Sequence, residues 1–449
     1  MSQWKKVKIG DICKIVKGAT GIASAEPGQY PLVVTAEERK TCSTYQFDCE
    51  AVCIPLVSSS GHGKKSLKNV HYQSGKFALG TILCAVIPNN PNELDARFLH
   101  QYLQFYKDTV LVPLMKGAAN VSLSMKDITT VEFPLPPIEK QRELSDLFIT
   151  LQENQKKLTA ETEQQLEYTK LLRQNILQDA IEGKLTADWR KSHPVIKGNP
   201  DYDAETLFEK IRKGEVSPSL QPNKPSSATP SAGSNAARNT RSKKMSPITN
   251  EEKSFKIPEG WKWVRLGEII VLDIGGGTPS KSNPLYWNGS IPWMTVKDFA
   301  FNQNELIKTT IDSITEDGLR ESSSNFIEAG NIIVCMRMGL GKIAINSIGL
   351  AINQDLRALF LSTHISKHFF VNFYKTLSIE GNGMTVKGIK REELINTPFP
   401  LPPLKEQEEI VTKIESLLAK VTELENQIQE RKTLSEKLAF GIIKEKLEE

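Results

Sequence analysis

Two kinds of hydrophobic spacing alternate along the chain. Over residues 1–135 and 259–401, apolar residues come in short runs broken by Gly, Pro, Asn and Ser. Examples are Ala51-Val52-Cys53-Ile54, Ile82-Leu83-Cys84-Ala85-Val86-Ile87, Ile332-Ile333-Val334-Cys335 and Ile343-Ala344-Ile345. Runs of that length and composition predict strands. Helical stretches at Ala96 to Tyr106 and His368 to Leu377 interrupt them, so both parts read as α+β domains. After Pro136-Pro137 and again after Pro402-Pro403, the apolar spacing changes to steps of three and four. Proline suits the first turn of a helix, so each pair marks a helix start. One helix carries Ile410, Ile414, Leu417, Val421, Leu424, Ile428, Arg431, Leu434 or Ser435, and Leu438. The other carries Leu144, Phe148, Leu151, Gln155, Leu158, Thr162, Gln165, Thr169, Leu172 and Ile176. Alternating steps of three and four form a coiled-coil seam, and polar residues within it weaken the interface while fixing its register.

The pattern is written twice. Phe133-Pro134-Leu135-Pro136-Pro137-Ile138-Glu139-Lys140-Gln141 returns later in the chain as Phe399-Pro400-Leu401-Pro402-Pro403-Leu404-Lys405-Glu406-Gln407. Trp4-Lys5-Lys6-Val7 matches Trp261-Lys262-Trp263-Val264, and Ile181-Glu182-Gly183-Lys184-Leu185 resembles Ile443-Lys444-Glu445-Lys446-Leu447. Three matches in the same order predict an internal repeat. The expected organisation is a first α+β domain (1–135), a first long helical region (136–190), a linker, partly disordered (191–258), a second α+β domain (259–401) and a second long helical region (402–449). The linker is assigned on its Ser, Pro, Asn and Ala content, which leaves little to bury.

Composition narrows the function. With 39% hydrophobic and 24% charged residues, the chain is an ordinary globular protein. A net charge of +4 permits a polyanionic partner without demanding one. The start has no apolar signal region, and no apolar run is long enough for a membrane span, so a cytoplasmic protein is expected. Six cysteines read as reduced thiols; Cys49 and Cys53 with His62 and His71 form at best a weak zinc pattern. No GxxxxGK[ST] loop, HExxH helix or GxSxG elbow is present, and Gly275-Gly276-Gly277 reads as a turn. No catalytic residue, metal or cofactor is therefore expected.

Two α+β domains of similar size alternating with two long helices, each opened by Pro-Leu-Pro-Pro and a following Gln, resemble the specificity (S, HsdS) subunits of type I restriction–modification enzymes. Gly183-Lys184-Leu185-Thr186 with Trp189-Arg190, Glu259-Gly260-Trp261, and Ile291-Pro292-Trp293-Met294-Thr295-Val296-Lys297-Asp298 carry the same resemblance. It implies two target recognition domains, each binding half of a bipartite sequence in double-stranded DNA. It implies helices that pair as an antiparallel coiled coil in a pseudo-twofold arrangement. It also implies docking of two methyltransferase (M) subunits, with restriction (R) subunits joining the full complex. The two domains differ in sequence, so the target should be asymmetric. Each helix of about 45 residues spans about 65–70 Å, enough to set the spacing of two half-sites.

Base readout uses Arg and Lys for guanine and Asn and Gln for adenine, with Lys and hydroxyls on phosphates. In the first domain the candidate loops carry Ser60, His62, Lys64 and Lys65, then Lys116 and Asn120. In the second they carry Lys281, Asn283 and Tyr286, then Lys297, then Arg337 and Lys342, and finally Asn382 and Lys387.

Overall fold

The computed structural model describes residues 4–60, 63–214, 238–239, 245–302, 306–379 and 388–448. The chain divides into two compact units. The first is Met1–Gln165 with Gln427–Glu449, and the second is Leu166–Asn426. The division falls inside both long helices, Ile138–Ile181 and Leu404–Glu448.

The first unit holds an antiparallel sheet whose spatial order is Cys13–Lys17, Leu83–Pro88, Ala51–Pro55, His71–Gln73. A second sheet runs Lys40–Cys42, Tyr30–Val33, Lys76–Leu79, Phe47–Asp48, with its two middle strands parallel. The central strand Ala51–Pro55 is buried throughout, which explains its unbroken apolar run. Helix Ala96–Val110 packs on the first sheet through Phe98, Leu99 and Leu103.

The second unit shows the same strand order. Its first sheet contains Ile270–Gly275, Leu356–Leu361, Ile332–Cys335, Ile343–Asn346, with Arg238–Asn239 and Leu306–Ile307 added at the edges. Its other sheet runs Asp312–Ile314, Trp287–Met294, Leu350–Ile352, Asn325–Ile327, again with parallel middle strands. Gly276 lies where the chain passes the second sheet: a Cβ there would fall 2.0 Å from the Ile352 carbonyl oxygen. The triple glycine is thus a close backbone crossing.

Each Pro-Leu-Pro-Pro segment closes its domain and starts its helix. Lys6–Lys8 pairs with Glu132–Pro134, setting Val7 opposite Phe133; Lys262–Arg265 pairs with Pro398–Leu401, setting Val264 opposite Phe399. Both phenylalanines are fully buried. The glutamine that follows is buried too. Gln141 accepts from the Asp95 amide and donates to the carbonyls of Glu93 and Pro136. Gln407 accepts from the Ser366 amide and donates to the Pro402 carbonyl. Asp95 and Ser366 are the N-caps of Ala96–Val110 and Lys367–Thr376. One carboxamide therefore locks the start of each long helix to the capped end of a domain helix. A hydrocarbon there would leave buried amides and carbonyls unpaired.

Along the long helices, Leu144, Phe148, Thr162, Thr169, Ile176, Ile410, Ile414, Val421 and Ile428 are buried as their spacing predicts. The seam is not apolar throughout. Leu172, Leu424, Leu434 and Leu438 are exposed. In the first unit the helices meet through Gln155–Ser435, Gln165–Arg431 and Glu163–Lys432. In the second, Arg173 reaches Glu425 and Thr422, and Lys413 donates to the Leu185 carbonyl. Within each unit the two helices run in opposite directions.

The stretch read as linker contains folded structure. Ala204–Lys213 is a helix that buries Ala204, Leu207, Phe208 and Ile211 in the core of the second unit. Residues 215–237 and 240–244, which hold most of the Ser- and Pro-rich sequence, lie outside the described residues.

Candidate nucleic-acid interface

In the first unit the two predicted loops meet. The chain leaving Ala51–Pro55 turns through Ser58, Ser59 and Ser60 and lies against residues 119–123. The Ser58 amide donates to the Val121 carbonyl, Leu123 to Leu56, and Gly63 to Ala119. Hydroxyls hold the turn from within: Ser58 Oγ donates to the Lys64 carbonyl, and Ser60 Oγ lies 2.6 Å from Ser66 Oγ. Lys64, Lys65 and Asn120 are exposed, and no ion pair engages either lysine among the described residues. Lys116 is also exposed, but its ammonium already pairs with Asp127 at 3.1 Å. His62 lies outside the described residues.

In the second unit Arg337 follows the central strand Ile332–Cys335, the position that Ser58–Ser60 occupies after Ala51–Pro55. Its guanidinium pairs with Asp355 at 3.0 Å and donates to the Gln354 carbonyl. Thr278 Oγ1 donates to the Gln354 side-chain oxygen. Arg337, Gln354 and Thr278 thus share one surface, fed by the turns after Cys335, Ile352 and Gly275. Val296 lies close to Gly339, which brings the start of the short helix Lys297–Phe301 beside the same turn. Lys297 is exposed and Lys342 is half-buried.

Two predicted residues serve the fold first. Asn283 caps a short turn by accepting from the Leu285 amide. Half-buried Tyr286 accepts from the Thr315 amide through its carbonyl, and its neighbour Trp287 packs edge-on against Trp293. Lys281 is exposed on the same loop. Asn382 and Lys387 lie outside the described residues; Gly388, just beyond them, bridges to Arg337. Asp298 is buried and ties the Thr295 and Ile311 amides. Gln354 was not among the sequence candidates: Asn353-Gln354-Asp355 between two apolar runs looks like any turn.

A buried ion cluster backs this surface. Asp273, fully buried, receives both Arg357 and Arg391. The aspartate holds the Arg391 guanidinium above its ordinary range, chiefly by hydrogen bonding. Arg391 opens the short helix after Gly388, so the cluster fixes the segment beside Arg337 to the sheet.

Elsewhere the first unit has an open cleft of about 700 Å³ between strand His71–Gln73 and the first long helix. Part of its polar lining is committed to the sheet edge: Arg39 donates to the Tyr72 carbonyl and Gln73, Gln104 accepts from the Val70 amide, and His100 meets the Val70 carbonyl. Burial, then Arg39, then His100, push His71 down to about 4. Burial pushes the Cys84 thiol up to about 12 and raises that of Cys53 as well, so both are held protonated. No cluster of three or more metal-ligating side chains occurs among the described residues. No described helix is long and apolar enough to cross a membrane.

Paired α+β domains with polar and basic loops at strand ends, hung on long helices, define a recognition scaffold. The type I restriction modification DNA specificity domain matches residues 1–168 and 258–431, and the chain belongs to that family of specificity subunits. It is 25% identical over 435 residues to the specificity subunit of the type I restriction enzyme EcoDI of Escherichia coli, covering 95% of this chain and 83% of that one. It is 31% identical to the EcoR124I/EcoR124II specificity subunit, also of Escherichia coli, over 42% of this chain and 49% of that relative. The fold is that of the HsdS subunit from Thermoanaerobacter tengcongensis, with a TM-score of 0.56 at 16% identity over 99% of this chain and 96% of that one. A chain from a study of assembly and conformational transition in the type I R-M system superposes with a TM-score of 0.64 at 17% identity, covering 99% and 97% of the two chains.

Proposed function

We propose that this chain reads a bipartite, asymmetric sequence in duplex DNA and directs methylation and restriction of that DNA by partner M and R subunits in the cytoplasm, without catalysing either reaction itself. The observation that carries the reading is the shared strand order of the two units, whose loops differ in chemistry. The turn after the central strand offers serines and lysines in one unit, and Arg337 with Gln354 in the other. One scaffold with two loop sets suits two different half-sites. Arg337 suits guanine, and Gln354, buttressed by Thr278, suits adenine. Lys64, Lys65, Lys281 and Lys297 suit phosphates.

The opposed directions of the helices within each unit support an antiparallel coiled coil. Burial supports a pseudo-twofold repeat. Leu144, Phe148 and Thr162 are buried, and so are Ile410, Ile414 and Ile428, which stand at the same places in the second copy of the pattern. The test is methylome sequencing of a host carrying this chain with its methyltransferase partner. The expected result is a split, non-palindromic motif with methyl-adenine in both halves. A continuous motif, or methylation independent of this chain, overturns the reading.

A further inference from the structure

Met338 stands out among the loops at the proposed interface. Its backbone is left-handed, with φ of 63°. Among the described residues only Asn288 shares that feature without being glycine. Side chains disfavour this region, and a methionine has no polar group to offset the cost locally. Its side chain is also 66% exposed, where an apolar residue contributes nothing to the core.

The turn around it is firmly held. The Cys335 amide donates to the Lys342 carbonyl, the Lys342 amide to Gly339, and Cys335 Sγ to the Arg337 carbonyl. The Met336 amide donates to Asp355, and Ile389 donates back to the Met336 carbonyl. Arg337 and Gly339, on either side of it, are both held, so the turn projects Met338 outward as an apolar point. Arg337, tied to Asp355 and Gln354, stands beside it. Strain kept at an exposed position points to a use for what it displays.

We propose that Met338 is a wedge that inserts between base pairs of the half-site read by the second unit and kinks the duplex there. Minor-groove-binding proteins that bend DNA frequently insert Met, Leu, Ile, Phe or Pro between base steps, unstacking them and kinking the duplex. In the first unit the turn after the central strand presents Ser58, Ser59, Ser60, Lys64 and Lys65, with no apolar side chain at its tip among the described residues. The kink is assigned to the half-site of the second unit, where the exposed methionine stands. That asymmetry lets the sequence of the deformed step contribute to specificity without a base contact.

The inference rests on the proposed function, and the experiment separates the two. The chain, co-expressed with its methyltransferase partner, is used to enrich its motif from random duplexes. 2-Aminopurine is then placed at each step of both half-sites. Wild type and Met338→Leu should raise fluorescence at one step of one half-site. Met338→Ala and Met338→Gly should abolish that rise and weaken binding about tenfold. Met338→Gly should melt no lower than wild type, because glycine accepts the left-handed backbone. Failure to enrich any motif refutes the proposed function. Enrichment with no unstacking signal in wild type, or a signal unchanged in Met338→Ala, refutes the wedge alone. Weaker binding by Met338→Ala without any unstacking signal also refutes it, since Met338 then only packs against an undistorted surface.

Discussion

Individual residues on the loops divide into those free to contact a ligand and those already engaged. Lys64 and Lys65 have no acidic partner among the described residues, whereas Lys116 is paired with Asp127. Replacing Lys64 and Lys65 by Ala should weaken DNA binding uniformly across sequences and reduce the slope of log K against log salt by about one per lysine lost from a phosphate. Lys116→Ala should change that slope less. Equal effects from all three would show that the ion pair does not matter. A buried histidine makes a different prediction. Because His71 is held neutral in the folded state down to about pH 4, the unfolded chain binds its proton first, near pH 6.5. Its contribution is present above pH 6.5 and is lost as the pH falls toward 4, by about 2 kcal/mol between pH 6.5 and 5. Urea melts at pH 7 and pH 5 should show the loss, and His71→Gln, which keeps an acceptor for Arg39, should flatten it. A drop of the same size in that variant would assign the pH dependence to other groups.

Strands and helices were largely legible because burial leaves a period in the sequence. The strands Ala51–Pro55 and Ile332–Cys335 and both helix starts lie where apolar runs and proline pairs predict them. What the period does not report is how far a helix face is covered. Leu424 and Ile414 occupy the same stripe, yet Ile414 is buried and Leu424 is 43% exposed. Ile414→Ala should therefore cost about 2–5 kcal/mol, as for a filled core site, and Leu424→Ala well under about 1 kcal/mol; chemical denaturation of the two variants decides. Polar anchors were equally hidden. Glu406 reads as one more solvated charge in Leu404-Lys405-Glu406-Gln407, but it is 1% exposed and held by Arg190, Thr186 and the Trp261 indole N–H. Its three partners come from sequence far away, so no local pattern could have disclosed it. The readout candidates fared alike: Arg337 was visible as a basic residue after a strand, whereas Gln354 joins it only through folding.

At the scale of the molecule, the proposed repeat can be followed through exposed positions as well as buried ones. Tyr168 and Leu172 are 57% and 43% exposed on the first long helix, in the second unit. Leu434 and Leu438 are 64% and 63% exposed on the second long helix, in the first unit. The alignment that sets Gln141 against Gln407 also sets Tyr168 against Leu434 and Leu172 against Leu438. Both are i, i+4 pairs, so each forms one apolar spot on a helix face. Isolated exposed leucines are common, but equivalent spots at equivalent positions suit a partner that binds twice. The two M subunits of the proposed complex are such a partner. Charged substitutions at one spot should then remove one copy and spare the other. Leu434→Glu with Leu438→Glu, or Tyr168→Glu with Leu172→Glu, should each give a complex with a single methyltransferase by native mass spectrometry, and the fourfold variant should give none. Thermal melts of the isolated chain carrying Leu434→Glu and Leu438→Glu should be nearly unchanged, because those two leucines bury little in it. Full occupancy in both double variants would place the docking surface elsewhere on the helices. Loss of both copies from either double variant would mean that the second methyltransferase binds only after the first.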